Sequence, residues 1–141
     1  MSALSRFVRP STRGRFDAGL LALRLGFGLT LAFGHGLDKA LALGKFMQSV
    51  ARHGFPVPEV MAPLAMLSEL VGGIFLALGL YTRPASAFVI FTMLGAAFVV
   101  HGGDPFSKKE TALAYALVAF VLIVTGPGRY SLDARLERRR R

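Results

Sequence analysis

His35, Lys39, His101 and Glu110 are the side chains in this sequence best suited to move protons or hold a polar ligand. Histidine is the side chain whose ordinary pKa lies near neutrality, so two imidazoles beside a carboxylate can accept and return protons. Lys39 follows His35 at i+4 and therefore shares its helix face. An ammonium there favours an anion or the polar head of a ligand. His101 closes one apolar run and Glu110 opens the next, so the four groups are expected to converge at one end of a helical bundle. On this reading His35, His101 and Glu110 are the catalytic candidates, and Lys39 with His35 the ligand-binding ones. The plainer alternative is interfacial chemistry: lysine snorkels to the headgroup level, and Glu110 favours a helix N-terminus.

Two further charges lie inside apolar runs. Arg24 interrupts the run from Ala18 to Phe33, and Glu69 the run from Val60 to Leu80. An ionisable group at bilayer depth costs several kcal/mol, so each calls for a partner or a function. Counted from the expected inner ends of their spans, Arg24 lies at ~12 Å and Glu69 at ~16 Å, which predicts an Arg24–Glu69 ion pair. A structural clamp between antiparallel helices is its favoured role, with catalytic use second.

Cysteine is absent, which removes thiolate nucleophiles, disulfide exchange and cysteine-ligated clusters. A redox role then needs a bound cofactor or a partner. Two histidines on different spans raise b-type haem, but one such pair is a weak signal beside a multi-ligand site, and haem is not favoured. No metal site is expected.

The elements that position these groups are membrane spans. The chain has 141 residues, 53% of them hydrophobic, with a mean hydropathy of +0.52. Soluble domains of this size rarely combine so much apolar character with so few polar spacers. Four apolar runs are expected as spans, near 16–37, 60–80, 85–100 and 111–125. A span needs about 20 residues, so the last two must extend into their flanks. Arginines surround the set, and a formal charge of +9 resides mostly in the two tails. The division is a basic tail at 1–15, a transmembrane domain at 16–128 and a basic tail at 129–141. Lys and Arg number eleven in the tails and the Tyr81–Pro84 turn against five in the other two loops, which predicts cytoplasmic termini. Nucleic acid as a partner of the arginines is disfavoured, because they flank spans. The loop after span one contains Leu43, Phe46, Met47 and Val50 near helical spacing, and an interfacial helix is expected there. Ser131 or Asp133 is expected to cap a basic C-terminal helix. The N-terminal arginines and apolar stretch lack a convincing small-x-small cleavage site, so an uncleaved span is expected.

The order Arg24, His35-Gly36-x-x-Lys39, Gly54-Phe55-Pro56-x-Pro58, Glu69-x-x-Gly72-Gly73 and Gly79-Leu80-x-Thr82-Arg83-x-Ala85 resembles the DoxX family of small bacterial membrane proteins. His101, Phe106-x-x-x-Glu110 and Gly126-Pro127-Gly128-x-x-Ser131-x-Asp133 fit the same pattern, so the likeness runs from about residue 17 to residue 136. The resemblance implies an all-α, four-helix protein of the bacterial inner membrane. It also implies an oxidoreductase subunit, in some members linked to quinone-dependent sulfur or respiratory chemistry. Arg24, His35, Lys39, Glu69, His101 and Glu110 are the positions it carries over.

Two functional expectations follow. The first is a membrane oxidoreductase component binding a quinone-like or small organic ligand near the outer face, with Phe27, Phe33, Phe98 and Tyr115 as candidate apolar walls. The second is a non-catalytic scaffold or assembly subunit, whose polar groups lock the bundle and whose basic surfaces recruit a membrane or peripheral partner. A small transporter is weaker, since four short spans show no inverted repeat. The oligomeric state is left open, a homo-oligomer included.

Overall fold

The computed structural model describes residues 13–140, so most of the N-terminal basic tail and Arg141 lie outside the described residues. Every regular element in it is helical. Helix α1 (Arg13–Leu31) runs through a π turn (Ala32–Gly36) into α2 (Leu37–Leu41), and α3 (Leu43–Arg52) lies in the following loop. Helix α4 (Pro58–Leu78) is joined by a short turn to α5 (Thr82–Gly95), which continues through a second π turn (Ala96–Val100). Helix α6 (Phe106–Thr125) and the C-terminal α7 (Leu132–Arg140) complete the order.

Three stretches are long and apolar enough to cross a membrane: Arg13–Leu41, Pro58–Leu78 and Thr82–Val100. Helix α6 matches them in length with 20 residues, but its first turns carry Lys108, Lys109 and Glu110. At 1.5 Å per residue the 29-residue first stretch reaches ~43 Å, enough to pass the hydrocarbon and both headgroup layers.

Glycine sets how α1 and α4 pack. A Cβ on Gly28 would overlap the backbone of Gly73 and Ala77, and one on Gly36 would overlap the backbone of Leu70. Small residues let helices approach closely where lipid offers no hydrophobic drive toward association. The same contacts fix the register: as α1 advances from Gly28 to Gly36, its neighbour retreats from Ala77 to Leu70, so the two helices are antiparallel. Helix α5 packs between α4 and α6. Ala112, Ala116 and Ala119 of α6 are buried in the core with Val89, Leu76 and Leu122. Phe27 of α1 meets Tyr115 of α6 edge-on, with ring centroids 5.5 Å apart, and closes the bundle. Large apolar side chains such as Phe91, Leu117 and Val124 point outward, as they do where the solvent is lipid.

The turn between α4 and α5 is built by a Schellman stop. Gly79 takes φ +65°, its N–H bonds the Leu76 carbonyl at 3.1 Å, and the Leu80 N–H bonds the Phe75 carbonyl at 2.9 Å. Helix α5 then starts with help from far along the chain. The Asp133 carboxylate accepts from the Tyr81 N–H at 2.8 Å, the Thr82 N–H at 2.9 Å and the Thr82 hydroxyl at 3.0 Å. Asp133 therefore caps α5 rather than its own helix. Ser131 caps α7 instead, its Oγ accepting from the Ala134 N–H at 3.2 Å. The expected loop helix is present as α3, packed against α4.

Candidate functional site

The expected Arg24–Glu69 pair does not form. Arg24 is fully buried, and its Nη2 donates to the Tyr130 carbonyl at 2.7 Å. Its guanidinium lies against Gly79, where a Cβ would collide with it. Glu69 instead pairs with Lys39, whose Nζ donates to Oε2. Register explains both outcomes. Arg24 lies level with Gly79, at the end of α4, whereas Glu69 lies level with Gly36, twelve residues farther along α1. That separation is ~18 Å, beyond any side-chain reach. Counting inward from the ends of the apolar runs misplaced Arg24, because the first residues of α1 project past the end of α4.

Glu69 thus belongs to the cluster at the far end. His35, Lys39, Glu69, His101, Lys108 and Tyr115 line a cavity of about 170 Å³, with Met93, Ala96, Thr111 and Ala112 as its smaller walls. Helices α2, α4, α5 and α6 and both π turns contribute. A π turn carries His35 in α1, and a second one ends at His101, whose N–H bonds the Ala96 carbonyl at 3.0 Å. Such turns insert a residue and often mark functional positions. Here they bring both imidazoles to one cavity.

The polar groups come in pairs. The Tyr115 hydroxyl lies 3.3 Å from His35 Nε2, and the two rings meet edge-on. His101 Nδ1 lies 2.7 Å from Asp104 Oδ2. The Lys39 ammonium, besides bonding Glu69, sits 5.1 Å from the centroid of the Phe46 ring on α3. Glu69 is 2% exposed while Lys39 retains 27%, so the pair runs from the bundle interior to the cavity mouth. The carboxylate–ammonium pair leaves imidazole, phenol and the second ammonium, Lys108, able to hydrogen-bond a guest.

Glu110, grouped with this set from the sequence, is exposed and does not line the cavity. Lys108, Thr111, Ala112 and Tyr115 form the inward stripe of α6 at i, i+3, i+4 and i+7, and position 110 falls off that stripe. Phe33 and Phe98, expected as walls, are more than half exposed on the outside of the bundle. Tyr115 and Phe27 are placed at or behind the cavity, Tyr115 through its hydroxyl as well as its ring. Asp104 was not anticipated, although the His101-x-x-Asp104 spacing was available as a signal.

The DoxX family model matches residues 19–102, more than half of the chain. The Escherichia coli "Inner membrane protein YphA" is 32% identical over 111 residues, covering 71% of this chain and 78% of that protein. The Bacillus subtilis "Putative oxidoreductase CatD" is 31% identical over 119 residues, covering 84% of this chain and 87% of that protein. The Escherichia coli "Inner membrane protein YqjF" is 32% identical over 89 residues, covering 59% of this chain and 67% of that protein. No solved structure gives a significant match.

Proposed function

We propose, of a chain that belongs to the DoxX family and resides in the inner membrane, that it binds a quinone-like or other small organic ligand in the His35–Lys39–Glu69–His101–Tyr115 cavity as a membrane oxidoreductase component. The observation that carries this reading is the convergence of ionisable and phenolic side chains from four helices on one small cavity. A relative named as an oxidoreductase supports the reaction class. A quinone head exchanges two electrons and two protons. In this reading His35 and Tyr115 hold the head's oxygen, and His101 beside Asp104 passes protons toward the outer surface. The electron partner is a second protein or substrate, because this chain brings no thiol chemistry of its own. Titrating the purified protein with a short-chain quinone tests the assignment. Saturable binding that His35→Ala weakens tenfold or more supports it, and binding unchanged in that variant rejects it.

Four spans with both termini on the cytoplasmic side complete the proposed topology, with α6 as the fourth. The charge distribution supports it. Arg13, Arg15, Arg83, Arg129, Arg135 and Arg138 to Arg140 gather at one end against Asp17, Asp133 and Glu137. The opposite end carries five cations and five carboxylates. Cytoplasmic loops are the ones enriched in Lys and Arg.

The scaffold reading has one observation in its favour. Lys39–Glu69, His35–Tyr115 and His101–Asp104 already satisfy one another within the chain. A stable enzyme partner recovered from native membranes, with no ligand copurifying, would select it.

A further inference from the structure

The basic end of the bundle contains a second concavity, remote from the His35 cavity. An open cleft of about 570 Å³ lies between the start of α5, the loop at 125–129 and the first turns of α7. Arg83 stands on one wall, and its Nη2 reaches toward Gly126 on the other. Arg129 projects beside it and lies over the Tyr130 ring, with 5.5 Å between its guanidinium carbon and the ring centroid.

The charges in the cleft are not equivalent. Asp133 and Glu137 also line it, but both oxygens of Asp133 are occupied by the three donors of Tyr81 and Thr82, and Glu137 is engaged in an interaction of its own. Among the described residues Arg83 has no acidic partner within ion-pair distance. Arg129 is held through its backbone, its N–H bonding Asp17 at 3.0 Å and its carbonyl accepting from Arg138, and among the described residues its guanidinium has no acidic partner within ion-pair distance. Planar guanidiniums from two walls suit a phosphodiester, which they can grip through paired N–H donors.

A track for hydrocarbon leads into the same place. Leu117, Phe120, Val121 and Val124 are exposed on α6 at spacings of three and four residues, so they form one outward stripe. The stripe ends at Thr125 and Gly126, which line the cleft. A free phosphate would use the arginines and leave the stripe idle, whereas a phospholipid uses both.

We propose that this cleft binds the headgroup phosphate of one anionic phospholipid, whose acyl chain lies along the Leu117–Val124 stripe. The proposal does not depend on what occupies the His35 cavity. Native mass spectrometry of the full chain in mild detergent, with dioleoyl-phosphatidylglycerol or dioleoyl-phosphatidylcholine added, tests it. One phosphatidylglycerol is expected to be retained in preference to phosphatidylcholine. A basic residue near anionic lipid is worth ~1 kcal/mol, or about fivefold, so Arg83→Gln and Arg129→Gln should each lower occupancy by about that factor. Arg83→Lys should recover part of the loss, and Lys45→Gln at the opposite end should change nothing. Equal retention of the two lipids, or full phosphatidylglycerol occupancy in the double glutamine variant, would overturn the proposal. Displacement of the lipid by millimolar inorganic phosphate would overturn the lipid assignment in favour of a plain anion site.

Discussion

Asp133 and Thr82 are joined twice, through the backbone N–H at 2.9 Å and the hydroxyl at 3.0 Å, across fifty-one residues of sequence. With the Tyr81 N–H at 2.8 Å, this carboxylate supplies the acceptors that the first turn of α5 lacks. It also lies opposite the partial positive charge of that helix end. The C-terminal segment is thereby fastened to the α4–α5 turn, where Tyr81 takes the left-handed φ of +46°.

Replacing Asp133 by alanine should therefore cost more than an ordinary surface change. Loss of a capping acceptor typically costs ~0.5–2 kcal/mol. Asp133→Asn keeps one oxygen acceptor and should lose less. Thermal unfolding in a fixed detergent, comparing the two variants with the parent, checks the order; equal stability of all three would remove the cap from the account.

Glu69 and Lys39 should behave as a coupled pair, and Glu69 and Arg24 as strangers. Breaking a buried pair by removing one partner typically costs ~3–5 kcal/mol. Glu69→Gln combined with Lys39→Met should be less damaging than the two single losses summed. Arg24→Met combined with Glu69→Gln should add within ~0.5 kcal/mol, as distant sites do. Two unfolding cycles in the same detergent measure both terms, and coupling of Glu69 to Arg24 would contradict the register described above.

Gly36→Ala should be among the most damaging single-methyl changes in the chain. Its Cβ would be driven into the Leu70 backbone, so α1 and α4 must part. Gly44→Ala meets nothing within 4 Å and lies in α3, so the better helix former should be neutral or stabilising by up to ~1 kcal/mol. The yield of monodisperse protein in size-exclusion chromatography separates the two, and comparable yields would mean that the α1–α4 contact is looser than described.

In the cavity, ligand affinity should separate His35 from Glu110, which the sequence places in one group. His35→Ala and Tyr115→Phe remove groups that line it, and each should weaken binding of a short-chain quinone. Glu110→Gln lies off the inward stripe and should leave binding unchanged. Fluorescence titration distinguishes the outcomes, and sensitivity to Glu110 alone would move the site out of the cavity.

The absence of cysteine permits a clean topology test. Single substitutions Arg52→Cys and Arg135→Cys place one thiol near each end of the bundle. In intact cells a membrane-impermeant maleimide should label Arg52→Cys and spare Arg135→Cys until the membrane is opened. The reverse pattern would invert the proposed orientation.

Much of the helical frame was readable from local rules. Apolar run length announced the three stretches long enough to cross a membrane and the helix at α6, Gly54 and Pro56 to Pro58 marked the entry to α4, and helical spacing disclosed α3. The convergence of His35, Lys39 and His101 was also readable, since span order alone puts them at one end. What escaped was register. Depth counted from the edge of an apolar run is uncertain by several residues, and Gly28 and Gly36 fix the true alignment through backbone contact that no single run records. That error gave Glu69 the wrong partner. The π turns escaped for a related reason: an inserted residue leaves hydrophobicity unchanged while altering which face follows it.

A helix with an inserted residue is a length that can be edited. Deleting one residue within Ala32–Gly36 would leave the first stretch long enough to cross a bilayer and would close the π turn to ordinary α geometry, so the residues beyond it would keep nearly their present face. Lys39 would stay within reach of Glu69, but His35 would lose the widened turn that sets it at the cavity, while the span persisted. The protein could then reach the membrane as an intact fold with its chemistry disconnected, so targeting and site assembly are separable properties of one helix.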